Sequence, residues 1–299
     1  MELKGIYPIV PTPFLENGEV DYPGIERLVE FMAGKGVDGL AIMGALGEGA
    51  KLTDGERTQI IQLYRQLLPA GMGLVVGVRA QATDPARLMA DQARDLGADG
   101  LLLGPHNIQK DQPLLEYYQQ VADAAKIPCI IHDYPAVTGI TMSVELVTRM
   151  FETAENIRYI KLEDPPTGLK MQALAETAGP RLGVFGALGG MYALEELELG
   201  AVGIMTGFIY AELLVELYRY AQNREWAKAA TLFYDFLPLN RWEFQPGIGI
   251  SLRKQLLQRL GIFTTAKVRH PGMQADARTM EQLIQIVEHL RKKGYALAI

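Results

Sequence analysis

One lysine of this sequence interrupts an apolar stretch of the chain. Eleven of the twelve lysines fall in predicted helices, loops or termini, whereas Lys161 lies within the run Arg158–Leu162 between apolar neighbours. Burial lowers the pKa of a lysine from its usual ~10.4, so a desolvated lysine keeps much free amine near neutral pH. Such an amine attacks carbonyl carbons, which makes Lys161 a candidate for imine formation. The alternative is a structural lysine paired with Glu163, two residues further along the same strand face.

A glycine-containing segment, Gly44–Glu48 (sequence GALGE), follows the second apolar run. Glycines allow the backbone to turn tightly and to direct N–H groups at an anion, so a carboxylate or a phosphate could bind here. The alternative is an ordinary strand-to-helix turn. Three glycines after the seventh apolar run, Gly186, Gly189 and Gly190, pose the same choice, with a phosphate at the following helix N-terminus as the competing function.

A third group of polar side chains, His132, Asp133 and Tyr134, comes just before Pro135 at the end of the fifth apolar run. Any of the three could move a proton. The alternative for His132 is a structural hydrogen bond to Asp133 or to the backbone. The remaining histidines lack the spacing of metal ligands, so we predict no metal site and no cofactor; they are His106, His270 and His289.

The elements that position these residues are predicted from the hydrophobic pattern. Short apolar runs, rich in β-branched residues and without strict alternation, indicate parallel strands covered by helices on both faces. Amphipathic segments separate them, and capping signals at Thr53 and Ser143 mark two helix starts. Eight β-then-α units predict the α/β class and a (β/α)₈ barrel, whose active site lies at the carboxyl ends of the strands. The eight runs are Gly5–Val10, Val37–Met43, Leu74–Val78, Gly100–Leu103, Ile127–Ile131, Ile157–Leu162, Leu182–Phe185 and Val202–Met205.

No further strand is predicted after about Tyr210, only helices over Glu225–Leu237, Ile250–Leu260 and Thr279–Lys292. We therefore divide the chain into a barrel over residues 1–222 and a C-terminal helical extension over residues 223–299. Because no Pro- or Ser-rich linker separates them, we expect the extension to pack on the barrel.

The composition excludes several classes of protein. The chain has 299 residues, 48% of them hydrophobic and 21% charged, with a net charge of −6. These values are typical of folded globular proteins and lack the basic surface of a nucleic-acid binder. No uncharged stretch is long enough for a membrane span, and prolines interrupt the N-terminal segment where a signal peptide would be continuously apolar. Cys129 is the single cysteine, which is consistent with a reducing compartment; we expect a cytoplasmic location.

Several of these motifs, in this order along nearly the whole chain, resemble the dihydrodipicolinate synthase / N-acetylneuraminate lyase family. They are Gly5–Phe14 with its PTPF ending, the GALGE segment, the turn at Pro135, Ile160-Lys161, and the glycine after the seventh strand. The resemblance implies a Schiff-base-forming barrel, usually a homotetramer or dimer, in which Lys161 attacks the ketone of pyruvate or a similar acid. It also implies that the backbone of Ala45 and Leu46 holds the α-carboxylate.

The sequence departs from the family pattern at the proton relay. Family members typically carry hydroxyl residues between the loop glycines and a tyrosine before the strand-five Asn-x-Pro, where this chain has Ala45, Leu46 and His132. The arginine by which the synthase branch binds its aldehyde substrate is replaced by Val137. Two segments, Lys161–Asp164 and Phe244–Gly247, look more like members that act on 2-keto-3-deoxy sugar acids.

The sequence thus predicts a lyase whose substrate is a small molecule, a 2-keto-3-deoxy sugar acid. The enzyme would act on it as a dehydratase or as an aldolase. The alternatives are dihydrodipicolinate synthesis, a non-catalytic keto-acid-binding relative, and a phosphate-binding isomerase that uses the glycines around Gly189. The predicted catalytic residues are Lys161, Glu163 and His132, and the predicted substrate-binding residues are Gly44, Ala45, Leu46, Gly186 and Thr206.

Overall fold

The computed structural model describes residues 2–80, 82–105 and 107–299. His106, considered above as a metal ligand, therefore lies outside the described residues. Within the described residues, eight strands form one parallel sheet in which the second to the eighth strand pair in chain order and the first pairs with the eighth. The two ends of the sheet meet, because Ala41 N–H donates to the carbonyl of Pro8 at 2.9 Å and Val10 N–H donates to the carbonyl of Ala41 at 3.0 Å. The predicted barrel is confirmed. Its strands are β1 (Gly5–Ile6), β2 (Gly39–Ile42), β3 (Gly73–Val78), β4 (Gly100–Leu103), β5 (Cys129–Asp133), β6 (Ile157–Leu162), β7 (Gly183–Gly186) and β8 (Gly203–Ile204).

The strands are buried on both faces, as the lack of alternation predicts. One set of side chains fills the barrel interior, where Tyr7 and Tyr159 each meet the ring of Phe185. The outward set packs against the surrounding helices. Since the interior is filled with large side chains below the catalytic end, the barrel is a packed core with one open end.

Twelve helices are found in the described residues, and several of those in the barrel start or stop at local sequence signals. Thr53 caps one helix in a capping box with Glu56, and Ser143 accepts from Leu146 N–H at the start of another. Gly36, Gly97 and Gly200 end helices with a positive φ, which glycine adopts without strain. The barrel helices are α1 (Tyr22–Ala33), α2 (Asp54–Leu67), α3 (Thr83–Asp95), α4 (Asp111–Ala125), α5 (Pro135–Thr138), α6 (Val144–Thr153), α7 (Thr167–Thr177), α8 (Ala193–Glu198) and α9 (Ala211–Gln222).

The C-terminal extension is helical, as predicted: α10 (Trp226–Phe244), α11 (Gly249–Arg259) and α12 (Ala277–Lys292). Helix α10 packs against α9 and α12, and Phe236 stacks on Phe208 at 5.8 Å between ring centroids. The extension therefore shares the hydrophobic core of the barrel. The exact division at residues 222 and 223 stays a prediction.

Within the residues that the structure describes, no helix combines the length and the apolar character needed to cross a lipid bilayer.

Candidate active site

Strand β6 directs Lys161 and Glu163 into the open end of the barrel. Side chains alternate along a strand, so Tyr159, Lys161 and Glu163 share one face, and Tyr159 lies in the barrel interior. Strand β5 pairs with β6 so that His132 stands opposite Lys161. The exposed fractions of Lys161, Glu163 and His132 are all 5% or less. Two neighbouring strands thus place three titratable groups together.

The carboxylate of Glu163 is the centre of this group. Its Oε2 accepts from the Lys161 ammonium and lies 2.9 Å from His132 Nε2. Its Oε1 accepts from the backbone N–H of Leu188 at 3.2 Å. Leu188 has a φ of +46°, an uncommon conformation for leucine, and this backbone geometry turns its N–H towards the carboxylate. Glu163 is therefore held in place and can exchange a proton with either neighbour.

Burial of Lys161 favours its neutral form, whereas the ion pair with Glu163 favours the charged form. Burial lowers the pKa of Lys161 well below its usual value, and the positive charge of Arg79 lowers it further, while the carboxylate of Glu196 opposes the shift. Burial in turn raises the pKa of Glu196 to about 7. A free amine at Lys161 is what nucleophilic attack on a ketone requires.

The segment Gly44–Glu48 forms part of the cavity wall through Gly44, Ala45 and Leu46. Its turn depends on a glycine, because a Cβ added at Gly47 would lie 2.8 Å from Met43 N. In the described part of the chain, the N–H groups of Ala45 and Leu46 donate to no protein acceptor. Two free N–H groups on a cavity wall can bind a carboxylate.

The glycines at the end of β7 and just after it allow close packing of neighbouring side chains. A Cβ added at Gly189 would collide with the ring of Phe244, and one added at Gly190 would lie 2.8 Å from Asn240 Nδ2. Gly186 lies against the carboxylate of Glu196, which would repel an anion, and Gly186 is not in the cavity wall. The structure therefore does not bring Gly186 together with the other predicted substrate-binding residues.

Of the polar group at the end of β5, only alternate side chains face the cavity. His132 and Tyr134 line it, and Lys161 Nζ lies 5.7 Å from the centroid of the Tyr134 ring. Asp133 points to the other face of the sheet, where its Oδ2 pairs with Lys170 Nζ at 2.6 Å. Burial raises the pKa of Asp133 to about 6. The strand period thus separates Asp133 from the groups in the cavity, and His132 contacts Glu163 and Lys161 rather than Asp133.

The cavity has a volume of about 230 Å³, and residues of the C-terminal extension form part of its wall. Phe244–Gly247, Gly249, Ile250 and Arg253 line it beside Thr206, Val137 and the barrel residues. Arg253 is 3% exposed, and its Nε lies 2.9 Å from Oε1 of the fully buried Glu243. Burial raises the pKa of Glu243 to about 7 although Arg253 opposes this shift.

The structure therefore gathers Lys161, Glu163, His132, Gly44, Ala45, Leu46 and Thr206 around one cavity. The sequence pattern did not indicate that Arg253, Glu243 and Glu196 lie at or beside this cavity. A charged residue within an apolar helical pattern, such as Arg253 between Leu252 and Leu256, was the available signal for the first of them. No group of His, Cys, Asp and Glu side chains suited to a metal ion occurs among the described residues.

Comparison with known proteins agrees with this geometry. The chain matches the dihydrodipicolinate synthetase family over residues 2–290. It is 28% identical to the L-2-keto-3-deoxyarabonate dehydratase of Azospirillum brasilense, over 96% of this chain and 94% of that protein. It is also 28% identical to a probable 2-dehydro-3-deoxy-D-pentonate aldolase of Escherichia coli, over 94% of this chain and 95% of that protein. Among solved structures, the dihydrodipicolinate synthase of Rhodopseudomonas palustris superimposes with a TM-score of 0.90 at 28% identity, covering 96% of this chain and 97% of that one.

A (β/α)₈ barrel with a desolvated lysine at its open end, in a chain similar to dehydratases, aldolases and synthases, defines an enzyme of the class I lyase type. The chain belongs to the dihydrodipicolinate synthetase family.

Proposed function

We propose that this enzyme is a Schiff-base lyase that removes water from a 2-keto-3-deoxy sugar acid. The observation that carries the proposal is the contact of Lys161, Glu163 and His132 in one cavity, beside the two free N–H groups of Ala45 and Leu46. The dehydratase of Azospirillum brasilense, similar over nearly the full length of both chains, supports the substrate class.

In the proposed mechanism, the Lys161 amine adds to the C2 carbonyl and water leaves, which forms an iminium ion. The Ala45 and Leu46 N–H groups hold the substrate carboxylate. The iminium acidifies C3–H, and Glu163 takes this proton, so that an enamine forms. The enamine then expels the C4 hydroxyl, which leaves as water after it receives a proton from Glu163 or from His132. The resulting conjugated iminium loses a proton from C5 and gains one at C3, and the C4–C5 enol then tautomerises to the aldehyde. Hydrolysis of the imine releases the 2,5-dioxo acid and the free lysine.

Aldol cleavage is the second candidate, supported by the similarity to the probable pentonate aldolase. Aldol cleavage passes through the same iminium ion as dehydration. It differs in that a base must take the proton of the C4 hydroxyl so that the C3–C4 bond breaks. Product analysis by NMR separates the two reactions, because cleavage yields pyruvate plus an aldehyde and dehydration of a 2-keto-3-deoxypentonate yields a 2,5-dioxo acid. Dihydrodipicolinate synthesis is disfavoured because Val137 lines the cavity where the synthases carry an arginine.

The proposed role of Lys161 is tested by trapping. Borohydride reduction in the presence of pyruvate should add one adduct to the peptide that contains Lys161, because only a neutral amine beside bound keto acid forms an imine. Reactions without pyruvate and with a Lys161→Met variant serve as controls. An unmodified protein, or an adduct on another lysine, would show that the assignment is wrong.

The family resemblance further supports a homo-oligomer, a tetramer or dimer, and we propose a cytoplasmic location in line with the single buried cysteine. The close packing of Gly189 against Phe244 and of Gly190 against Asn240 favours a structural role for these glycines over the phosphate site of an isomerase. A non-catalytic relative would bind the keto acid without consuming it, which the product analysis detects.

A further inference from the structure

Arg253 is a buried cation that the proposed mechanism does not use. It extends from α11 of the C-terminal extension into the wall of the cavity that contains Lys161. Its Nε donates to the carbonyl of Gly207 at 2.7 Å and lies 2.9 Å from Glu243 Oε1. These contacts fix the side chain at its Nε.

The two terminal nitrogens of the Arg253 guanidinium, Nη1 and Nη2, carry further N–H donors. A guanidinium carries five N–H donors, and within the described residues the hydrogen bonds of Arg253 run through Nε alone. Gly249 makes room for this end, because a Cβ there would lie 2.9 Å from Nη1. Because Arg253 lines the cavity, its terminal N–H groups can donate to an oxygen of a bound ligand.

The surrounding wall is mainly apolar, which makes Arg253 stand out as a recognition group. Ile9, Leu46, Leu102, Val137, Phe244 and Ile250 all line the cavity. None of these six side chains can donate a hydrogen bond. Apart from Lys161 and His132, the other side-chain donors of the wall are the uncharged Tyr134, Thr206 and Gln245, so Arg253 is the remaining charged donor in the cavity lining.

The charge of Arg253 is already balanced. Glu243 is fully buried, pairs with Arg253, and accepts from Ile209 N–H at 3.0 Å. A distal carboxylate would therefore meet a neutral pair, whereas a hydroxyl needs only the free N–H groups. Because a carboxyl with a pKa of about 7 is mostly ionised at pH 8, the pair is intact at that pH.

We propose that the terminal N–H groups of Arg253 donate to a hydroxyl beyond C4 of the substrate and select keto acids that end in a neutral hydroxyl. The proposal rests on the proposed function, whose substrate class it narrows. In this proposal the C-terminal extension contributes to substrate specificity, and the barrel strands provide the catalytic residues.

The test compares three acids that differ at C5: 2-keto-3-deoxypentonate with CH₂OH, 4-hydroxy-2-oxopentanoate with CH₃, and 4-hydroxy-2-oxoglutarate with a carboxylate. Consumption of each is followed by NMR at pH 8. We expect kcat/KM for the CH₂OH acid to exceed the other two values by about 10- to 100-fold, as for the loss of one charged hydrogen bond.

Two variants assign this preference to Arg253. Arg253→Met combined with Glu243→Gln removes the pair without leaving a buried charge, and it should reduce the preference for CH₂OH over CH₃ to within threefold. Arg253→Lys keeps the positive charge beside Glu243 but removes the planar guanidinium with its terminal N–H groups. It should lower the preference for CH₂OH over CH₃ at least fivefold. The exposed Arg259→Lys on the same helix is the matched control and should keep the wild-type preference.

Trapping of pyruvate at Lys161 separates the inference from the function it rests on. Pyruvate has no distal hydroxyl, so trapping should survive in every Arg253 variant. Absence of trapping in the wild-type enzyme would overturn the proposed function. Normal trapping together with an unchanged CH₂OH preference in the Arg253 variants, or a wild-type preference for the carboxylate, would overturn the role of Arg253 alone.

Discussion

Glu163 is the residue on which the proposed proton transfers depend. It contacts both Lys161 and His132, and the Leu188 N–H holds its second oxygen. The hydroxyl relay typical of the family is replaced at Ala45, Leu46 and His132, so the proton needs another route. A carboxylate between a nucleophilic amine and an imidazole supplies that route. The alternative is that Glu163 serves only as the counter-ion of Lys161.

A Glu163→Gln variant separates these two roles. Loss of a general acid/base group typically reduces kcat by ~10²- to 10⁴-fold, whereas imine trapping at Lys161 with pyruvate should survive because the amine remains. The exposed Glu195→Gln is the control and should leave turnover unchanged. Turnover of the Glu163 variant within threefold of the wild type would exclude the proton-transfer role.

At the scale of single elements, the loop after β2 is the part that binds the keto acid in the proposed mechanism. Its geometry depends on close backbone packing, since Gly47 lies against Met43 and its carbonyl accepts from Thr12 Oγ1 at 2.7 Å. The Ala45 and Leu46 side chains cannot donate hydrogen bonds, so the backbone alone acts. Backbone position, rather than side-chain chemistry, should therefore control affinity.

A Gly47→Ala variant should raise the pyruvate concentration for half-maximal trapping by about tenfold or more, because displacement of a positioning group by about 1 Å has effects of this size or larger. Ala45→Ser should stay within a few fold of the wild type, since its N–H is unchanged. Gly55→Ala is the control, because no atom lies within 4 Å of the added methyl group. A ligand-bound structure with the carboxylate on an arginine would contradict this role of the loop.

At the scale of the whole molecule, a buried ion pair joins the barrel to its extension. Glu48 ends the GALGE segment and accepts from Lys254 of α11 at 2.5 Å, and both side chains are fully buried. Glu48 also accepts from Lys51 Nζ at 2.8 Å and from Arg269 N–H at 3.0 Å. Burial lowers the pKa of Lys254 to about 8, although Glu48 opposes the shift. The same helix that carries Arg253 is thus linked to the loop that carries Ala45 and Leu46.

Breaking this pair should destabilise the fold. Glu48→Gln leaves Lys254 buried without its counter-charge and should lower the free energy of unfolding by about 3–5 kcal/mol, measured by urea denaturation. The double variant Glu48→Gln/Lys254→Met should lose less than the sum of the single losses, because no unpaired charge remains. Lys228→Met, which breaks an exposed pair with Glu225, is the control and should change little. Strictly additive losses would mean that the two residues stabilise the protein independently.

The sequence by itself was sufficient to predict the barrel and to identify Lys161 as the candidate nucleophile. Strand runs, helix caps and glycine stops are local signals, and they predicted eight strands close to those observed. The two-residue strand period placed Lys161 and Glu163 on one face, and the same period accounts for the outward direction of Asp133, which the sequence analysis grouped with His132. These features depend on neighbours a few residues apart, so a pattern can predict them.

Only the tertiary structure decided which distant residues complete the cavity. Arg253 is 92 residues from Lys161 along the chain and enters the cavity because the extension docks on the barrel. Gly186 and Gly189 were plausible ligand-binding glycines, yet Glu196 and Phe244 occupy the space beside them. The physical reason is that docking depends on the packing of whole helices against one another, a sum of many weak contacts that no local pattern of residues records.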